Sequence, residues 1–294
     1  MCIVLKFVIV ILVVFELNVV GAQEVDTKQI FLFPDDVRFA KRRCEEEFAR
    51  NNTFLLEKWR KHEYPDQRET HCFIKCYLRR LGLVNLLTRG LDNDKLYQLW
   101  ENIDLETSEN CLANLELEFD LNDLCVSYYK KWLRLRQKCE QEVQKLFYEL
   151  GPNYEYPMKY QLPSKAFEMS AIEFCESLDT MEKNTVAEMT QSVNVESEQF
   201  QCKFGCIYKR FHYFDAYDRL DESEIIRSFL EVANISESNL LAIKHCIHQA
   251  QMLYTGLERG YCNMAYVLHK CLTNRFGKQF KIVTINRNKL SKQY

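Results

Sequence analysis

Glycine and proline are scarce in this sequence, at eight and five of 294 residues. An all-β fold consumes both at its turns, so their scarcity argues against one. Eight glycines also leave few places where backbone can close on a phosphate, and no Gly-rich phosphate loop is present. Other motifs of common chemistry are missing as well: there is no Gly-x-Ser-x-Gly elbow, no His-Glu-x-x-His and no Cys-x-x-Cys-His haem motif. Carboxylates are plentiful, but they fall in runs such as Cys44-Glu45-Glu46-Glu47, which read as a solvated helix face. The sequence reads as a non-enzyme without a cofactor. A net charge of −3 gives no support to a nucleic-acid partner.

Long apolar runs are absent except near the start. There Lys6 precedes an apolar stretch from Phe7 to Phe15, and Val20-Gly21-Ala22 offers the small residues that signal peptidase needs. The stretch is short for a membrane span and Glu16 closes it. Residues 1–22 are read as a secretory signal peptide, which makes the rest an extracellular chain with no membrane span. Asn51-Asn52-Thr53 and Asn234-Ile235-Ser236 are candidate glycosylation triplets, with Asn51 and Asn234 as acceptors.

What is present is cysteine, twelve residues once Cys2 leaves with the signal. They form two sets of six: Cys44, Cys72, Cys76, Cys111, Cys125 and Cys139, then Cys175, Cys202, Cys206, Cys246, Cys262 and Cys271. In each set three residues separate the second from the third. Metal binding would want a second matching pair, and His71 beside Cys72 does not supply one, so disulfides are expected and no metal.

The repeat extends beyond cysteine. Leu91-Asp92-Asn93-Asp94-Lys95-Leu96 with Trp100 matches Leu220-Asp221-Glu222-Ser223-Glu224-Ile225 with Phe229. Each Asp stands just before an apolar-periodic run, where a helix N-cap belongs. Three of the five prolines, Pro152, Pro157 and Pro163, mark a linker. The expected organisation is an N-terminal domain over 23–150, a linker over 151–165, and a C-terminal domain with a basic tail over 166–294. Ile225, Ile226, Phe229, Leu230 and Ala233 form one helical stripe, and Leu240, Ile243, Ile247 and Ala250 another. The fold class is all-α: two tandem, disulfide-stapled helical domains. Cys72 and Cys76, four apart, can staple one helix to two neighbours, each bridge adding about 3–5 kcal/mol in the chain-entropy account.

Aromatic residues are in excess, at 13%. Most are expected to fill cores, and some to line an apolar pocket with polar ends. Phe73, Tyr77 and Arg80 fall at i, i+4 and i+7 on the cysteine-bearing helix, an aromatic wall ending in a cation. That pattern suits a ligand with an apolar tail and an acidic head. From Leu272 to Tyr294 the chain has no acid, but carries Arg275, Lys278, Lys281, Arg287, Lys289 and Lys292. This tail is either a solvated, frayed terminus or a contact for anionic surfaces.

The cysteine spacing resembles that of the insect odorant-binding-protein superfamily. Eight residues between Cys262 and Cys271 fit its pattern, and thirteen between Cys125 and Cys139 depart from it. Two such units after a signal peptide resemble the long-form salivary proteins of blood-feeding flies called the D-seven family. Lys58-Trp59, the stretch Thr70-His71-Cys72-Phe73-Ile74-Lys75-Cys76-Tyr77-Leu78, Gly82-Leu83, and Ile172-Glu173-Phe174-Cys175-Glu176 are similar to its two domain starts.

The resemblance implies odorant-binding-protein-like domains with pairing first to third, second to fifth and fourth to sixth. Carried over, that is Cys44–Cys76, Cys72–Cys125, Cys111–Cys139, Cys175–Cys206, Cys202–Cys262 and Cys246–Cys271. It implies a salivary role, sequestering host eicosanoids such as cysteinyl leukotrienes and thromboxane against vasoconstriction, platelet aggregation and inflammation. Trp59, Phe73, Lys75, Tyr77, Arg80, Tyr128 and Trp132 are the candidate lipid-binding residues, with Tyr77 placed as in thromboxane binders. Biogenic amines are not expected, because the segment that carries an Asp and a Glu in amine-binding relatives is here Leu272-Thr273-Asn274-Arg275-Phe276-Gly277-Lys278-Gln279. The competing readings are a carrier of odorants or other small hydrophobic molecules, and an anticoagulant acting through the basic tail.

Overall fold

The computed structural model describes residues 34–99, 122–147, 169–177, 198–255 and 260–291. The signal peptide, the linker, Trp100 and Cys111 lie outside them. The first domain comprises α1 (Pro34–Phe48), α2 (Thr53–Arg60), α3 (Arg68–Arg80), α4 (Asn93–Leu99), α5 (Leu124–Lys138) and α6 (Glu140–Phe147). The second has a helical stretch at 171–177, then α7 (Glu198–Arg210), α8 (Glu222–Leu230), α9 (Glu237–Gln251), α10 (Gly260–Phe276) and α11 (Lys278–Leu290). Among the described residues there is no strand, only two isolated antiparallel bridges.

Those bridges repeat. Val84 pairs with Leu91 and Phe214 with Leu220, each in the turn that follows a cysteine-bearing helix. The expected caps then start the next helices. The Asp92 carboxylate accepts from the Lys95 amide at 3.2 Å, and Asp221 accepts from the amides of Ser223 and Glu224. Asn52, Asp123 and Ser236 cap α2, α5 and α9 in the same way, satisfying amides that have no partner inside the helix. Leu96, Ile225 and Phe229 are fully buried beyond these caps.

In the first domain α3 packs on α1 and α5; in the second α10 packs on α7, α9 and α11. Disulfides tie these contacts. Cys44 joins Cys76, linking α1 to α3, and Cys72 joins Cys125, linking α3 to α5. In the second domain Cys175 joins Cys206, Cys202 joins Cys262, and Cys246 joins Cys271. Cys139 is disulfide-bonded as well; its expected partner, Cys111, lies outside the described residues.

Two expectations change. The α8 stripe is rotated: Ile225 and Phe229 are buried, but Leu230 is exposed and Glu224 and Ser228 go inside. The cause is the first domain, whose Arg43 takes Glu224 as its counter-charge. The basic tail is not frayed as far as residue 291, because α11 runs to Leu290 with Phe280, Val283 and Arg287 buried; Lys292 lies outside the described residues. Asn51 and Asn234 are both exposed.

The domains meet closely. Gly82, at φ +74°, sits where a Cβ would come within 2.9 Å of the Ala216 Cβ. Only glycine combines that backbone with that approach. Phe39 stacks on His212 at 3.8 Å, and the Tyr217 hydroxyl donates to the Val84 carbonyl at 2.8 Å. At the centre is a buried ionic cluster. Glu224, with no exposed surface, lies 2.8 Å from Arg43 Nε and 3.8 Å from Arg287 Nη2. Arg43 and Arg227 both hold Glu46, at 2.9 and 2.8 Å.

Candidate ligand-binding sites

The first domain has an aromatic interior. Helix α2 brings Trp59; α3 brings Phe73 and Tyr77, one turn apart; α5 brings Tyr128 and Trp132; α6 brings Phe147. Trp59 stacks on Phe73 at 4.2 Å, Phe73 on Tyr77 at 6.0 Å, and Trp132 meets Tyr77 and Phe147 edge-on at 6.3 and 5.0 Å. All of them are buried. Five of the seven candidate residues, Trp59, Phe73, Tyr77, Tyr128 and Trp132, therefore lie in one cluster, where Tyr64 and Phe147 join them.

The polar atoms in this cluster separate into two kinds. Trp59 Nε1 donates to Thr70 Oγ1 at 3.1 Å, Tyr129 donates to the Tyr64 carbonyl at 2.8 Å, and Tyr128 donates to the Arg89 carbonyl. These are structural bonds, and burial pushes the Tyr128 phenol up to about 12, so it stays a neutral donor. Trp132 Nε1 differs: fully buried, it meets no hydrogen-bond acceptor among the described residues. A buried donor without an acceptor costs about 1–3 kcal/mol, a cost that a ligand oxygen would relieve. The Tyr77 ring, also buried, meets the Trp132 ring edge-on.

The two candidate cations lie elsewhere. Positions 72, 75, 76 and 79 form the second face of α3, turned to a cleft of about 880 Å³ between the domains. Lys75 and Arg80 line this cleft with Arg79 and, from the second domain, Asp215, Arg219 and Asp221. Arg80 pairs with Asp221 at 3.5 Å, and Arg219 grips Asp215 at 2.7 Å. Lys75 and Arg79 have no ion-pair partner among the described residues. The aromatic wall ending in a cation is thus divided: the wall serves the core, and its terminal Arg80 is held by the second domain. Sequence reasoning on one domain had no means of placing Asp221 there.

The second domain has its own aromatic interior, of Phe204, Tyr208, Phe211, Tyr213, Phe229 and Phe280. Tyr208 shares a hydrogen bond with His269 Nδ1 at 2.9 Å, and Tyr213 donates to Ser228 Oγ at 2.7 Å. Burial pulls His269 down to about 4, which keeps its ring neutral. The buried acid of this domain, Glu224, is already engaged by Arg43 and Arg287. Among the described residues no group of His, Cys, Asp and Glu could hold a metal ion.

The model of the PBP/GOBP family matches residues 33–116 and 163–275. The chain belongs to the PBP/GOBP family. Family members are odorant- and ligand-binding proteins. The chain is also similar to the long form salivary protein D7L2 of Aedes aegypti, 22% identical with 98% of this chain and 90% of the relative covered. Three solved structures share the fold. An AeD7–leukotriene E4 complex has a TM-score of 0.58 at 20% identity, covering 89% of this chain and 91% of that one. An AnSt-D7L1 complex with U46619 scores 0.55 at 19%, covering 89% and 88%. Culex quinquefasciatus D7 long form 1 in complex with ADP scores 0.55 at 18%, covering 90% and 89%. A two-domain helical PBP/GOBP architecture of the D7 kind is therefore this chain's fold, and no helix among its described residues is long and apolar enough to cross a membrane.

Proposed function

We propose that this chain is a secreted salivary binding protein, not a catalyst, whose first domain sequesters eicosanoids and so opposes vasoconstriction, platelet aggregation and inflammation at a feeding site. The observation that carries this reading is the buried Trp132 Nε1, which meets no acceptor among the described residues, in an interior rich in aromatic rings. An eicosanoid has a long apolar chain for the rings and oxygens that can accept from the Trp132 donor. Burying each methylene contributes about 0.8 kcal/mol, so half the chain offsets much of the ordering cost. The similar folds crystallised with leukotriene E4 and with U46619, a thromboxane analogue, support the ligand class. Biogenic amines fall outside it: a buried ammonium needs an unengaged carboxylate, and Glu224 is not one.

Calorimetric titration with leukotriene E4 and U46619 tests the reading. Both are expected to bind, and Tyr77→Phe is expected to weaken U46619 by about 1–2 kcal/mol while changing leukotriene little. Binding of neither ligand would refute the proposal; identical binding by Tyr77→Phe would remove Tyr77 as a reader of the ligand.

A second reading concerns the cleft. Lys75 and Arg79 have no ion-pair partner among the described residues and face about 880 Å³ of space, lined also by Glu47 and Glu222, where a phosphate-bearing ligand could pair with them. The likeness to a Culex protein crystallised with ADP supports it. ADP is expected to bind, and Lys75→Ala with Arg79→Ala to abolish this without touching leukotriene affinity. ADP binding that survives both changes would exclude the cleft as its site.

A further inference from the structure

The C-terminal helix sorts its charges by face. On the inner side of α11 are Phe280, Val283 and Arg287, the last buried against Glu224 and Glu231. On the outer side Lys278, Lys281, Ile282, Ile285 and Lys289 are all exposed. At 3.6 residues per turn these five span an arc of roughly 100° along a rod of about 20 Å. Arg275, at the end of α10, adds an exposed fourth cation. None of the four cations has an ion-pair partner among the described residues, and Glu258 is the last acid of the sequence.

The face is therefore positively charged on a chain whose net charge is −3. It is also apolar at its centre, with Ile282 at 56% and Ile285 at 48% exposure. Charge alone would suit any polyanion. Two isoleucines set between lysines need a partner with apolar depth behind its negative charge. A bilayer bearing anionic headgroups offers both: lysine stems lie along the surface with their ammonium groups at phosphate level, while the isoleucines reach the acyl boundary. We propose that the outer face of α11 docks on anionic phospholipid surfaces, independently of the ligand sites in the interior and the cleft.

Co-sedimentation of the full secreted chain with phosphatidylcholine vesicles, with and without phosphatidylserine, tests this. The chain is expected to sediment only with phosphatidylserine, and to be released as salt rises. The variant K278E/K281E/K289E is expected to lose affinity at least about tenfold, since each lysine near such a surface contributes about fivefold. The variant I282S/I285S is expected to bind vesicles several-fold more weakly than the parent, and soluble heparin no differently. All five positions are exposed, and melting curves matching the parent's would show both variants folded. Sedimentation with neutral vesicles alone, or with none, overturns the proposal. So does vesicle binding by I282S/I285S equal to the parent's, which would make the face a site for soluble polyanions instead.

Discussion

Glu224 illustrates what a single residue decides here. It carries a charge with no access to water, and its compensation comes from Arg43, 181 residues earlier, and from Arg287 on α11. Burial works against the Arg43 charge, but the Glu224 and Glu46 carboxylates more than offset it and hold the guanidinium above its ordinary value. Removing one member of such a cluster strands the others in a dry site. Glu224→Gln is expected to cost about 3–5 kcal/mol in urea unfolding, while Glu222→Gln, two positions away and exposed, should cost little. Equal, small losses in both would mean that water reaches the cluster. Nothing in Asp221-Glu222-Ser223-Glu224 sets Glu224 apart in the sequence, because a capped helix start accepts acids anywhere in its first turn. Trp132 is the same case: its aromatic character was legible and its missing acceptor was not, since a partner is a property of three dimensions.

At the scale of the helix, periodicity served well wherever one face met its own domain. The α9 stripe buries Ile243, Ile247 and Ala250 as its spacing required. It misled on α8, where the first domain claimed the adjoining face. Helix α10 adds a titratable element: His269, pulled down to about 4 by burial, shares a hydrogen bond with Tyr208. An unfolded histidine titrates near 6.5, so between pH 6.5 and about 4 the unfolded chain binds more protons than the folded one. Stability is complete above that window and falls as pH drops through it. His62, also pulled to about 4, and His212, held well below its usual value by burial, contribute in the same direction. Melting temperature is therefore expected to fall from pH 6.5 to 4, and His269→Phe to flatten the decline without abolishing it. A slope unchanged by the substitution would show that His269 protonates without opening its pocket.

For the molecule as a whole, duplication was the most legible property. Two sets of six cysteines and paired Asp caps announced two like domains, because covalent spacing and capping are local and survive in one dimension. Amphipathic spacing around Cys72 and Cys76 put Phe73 and Tyr77 on one face; that Trp59, Tyr128 and Trp132, on other helices, close the same interior is a property of the folded chain. The cleft did not follow, since its walls belong to different domains.

One helix takes part in both places. The inner face of α3 supplies Phe73 and Tyr77 to the aromatic interior, and its outer face supplies Lys75 and Arg79 to the cleft, with bridges to Cys44 and Cys125 fixing it at two points. A lipid that displaced this wall from one side would alter the proposed anion site on the other. Two ligands are linked when binding one moves a wall that the other uses, and the factor by which each then changes the other's affinity is the same in both directions. Such a protein would read the mixture of mediators around it, with the occupancy of one site resetting the threshold of the other.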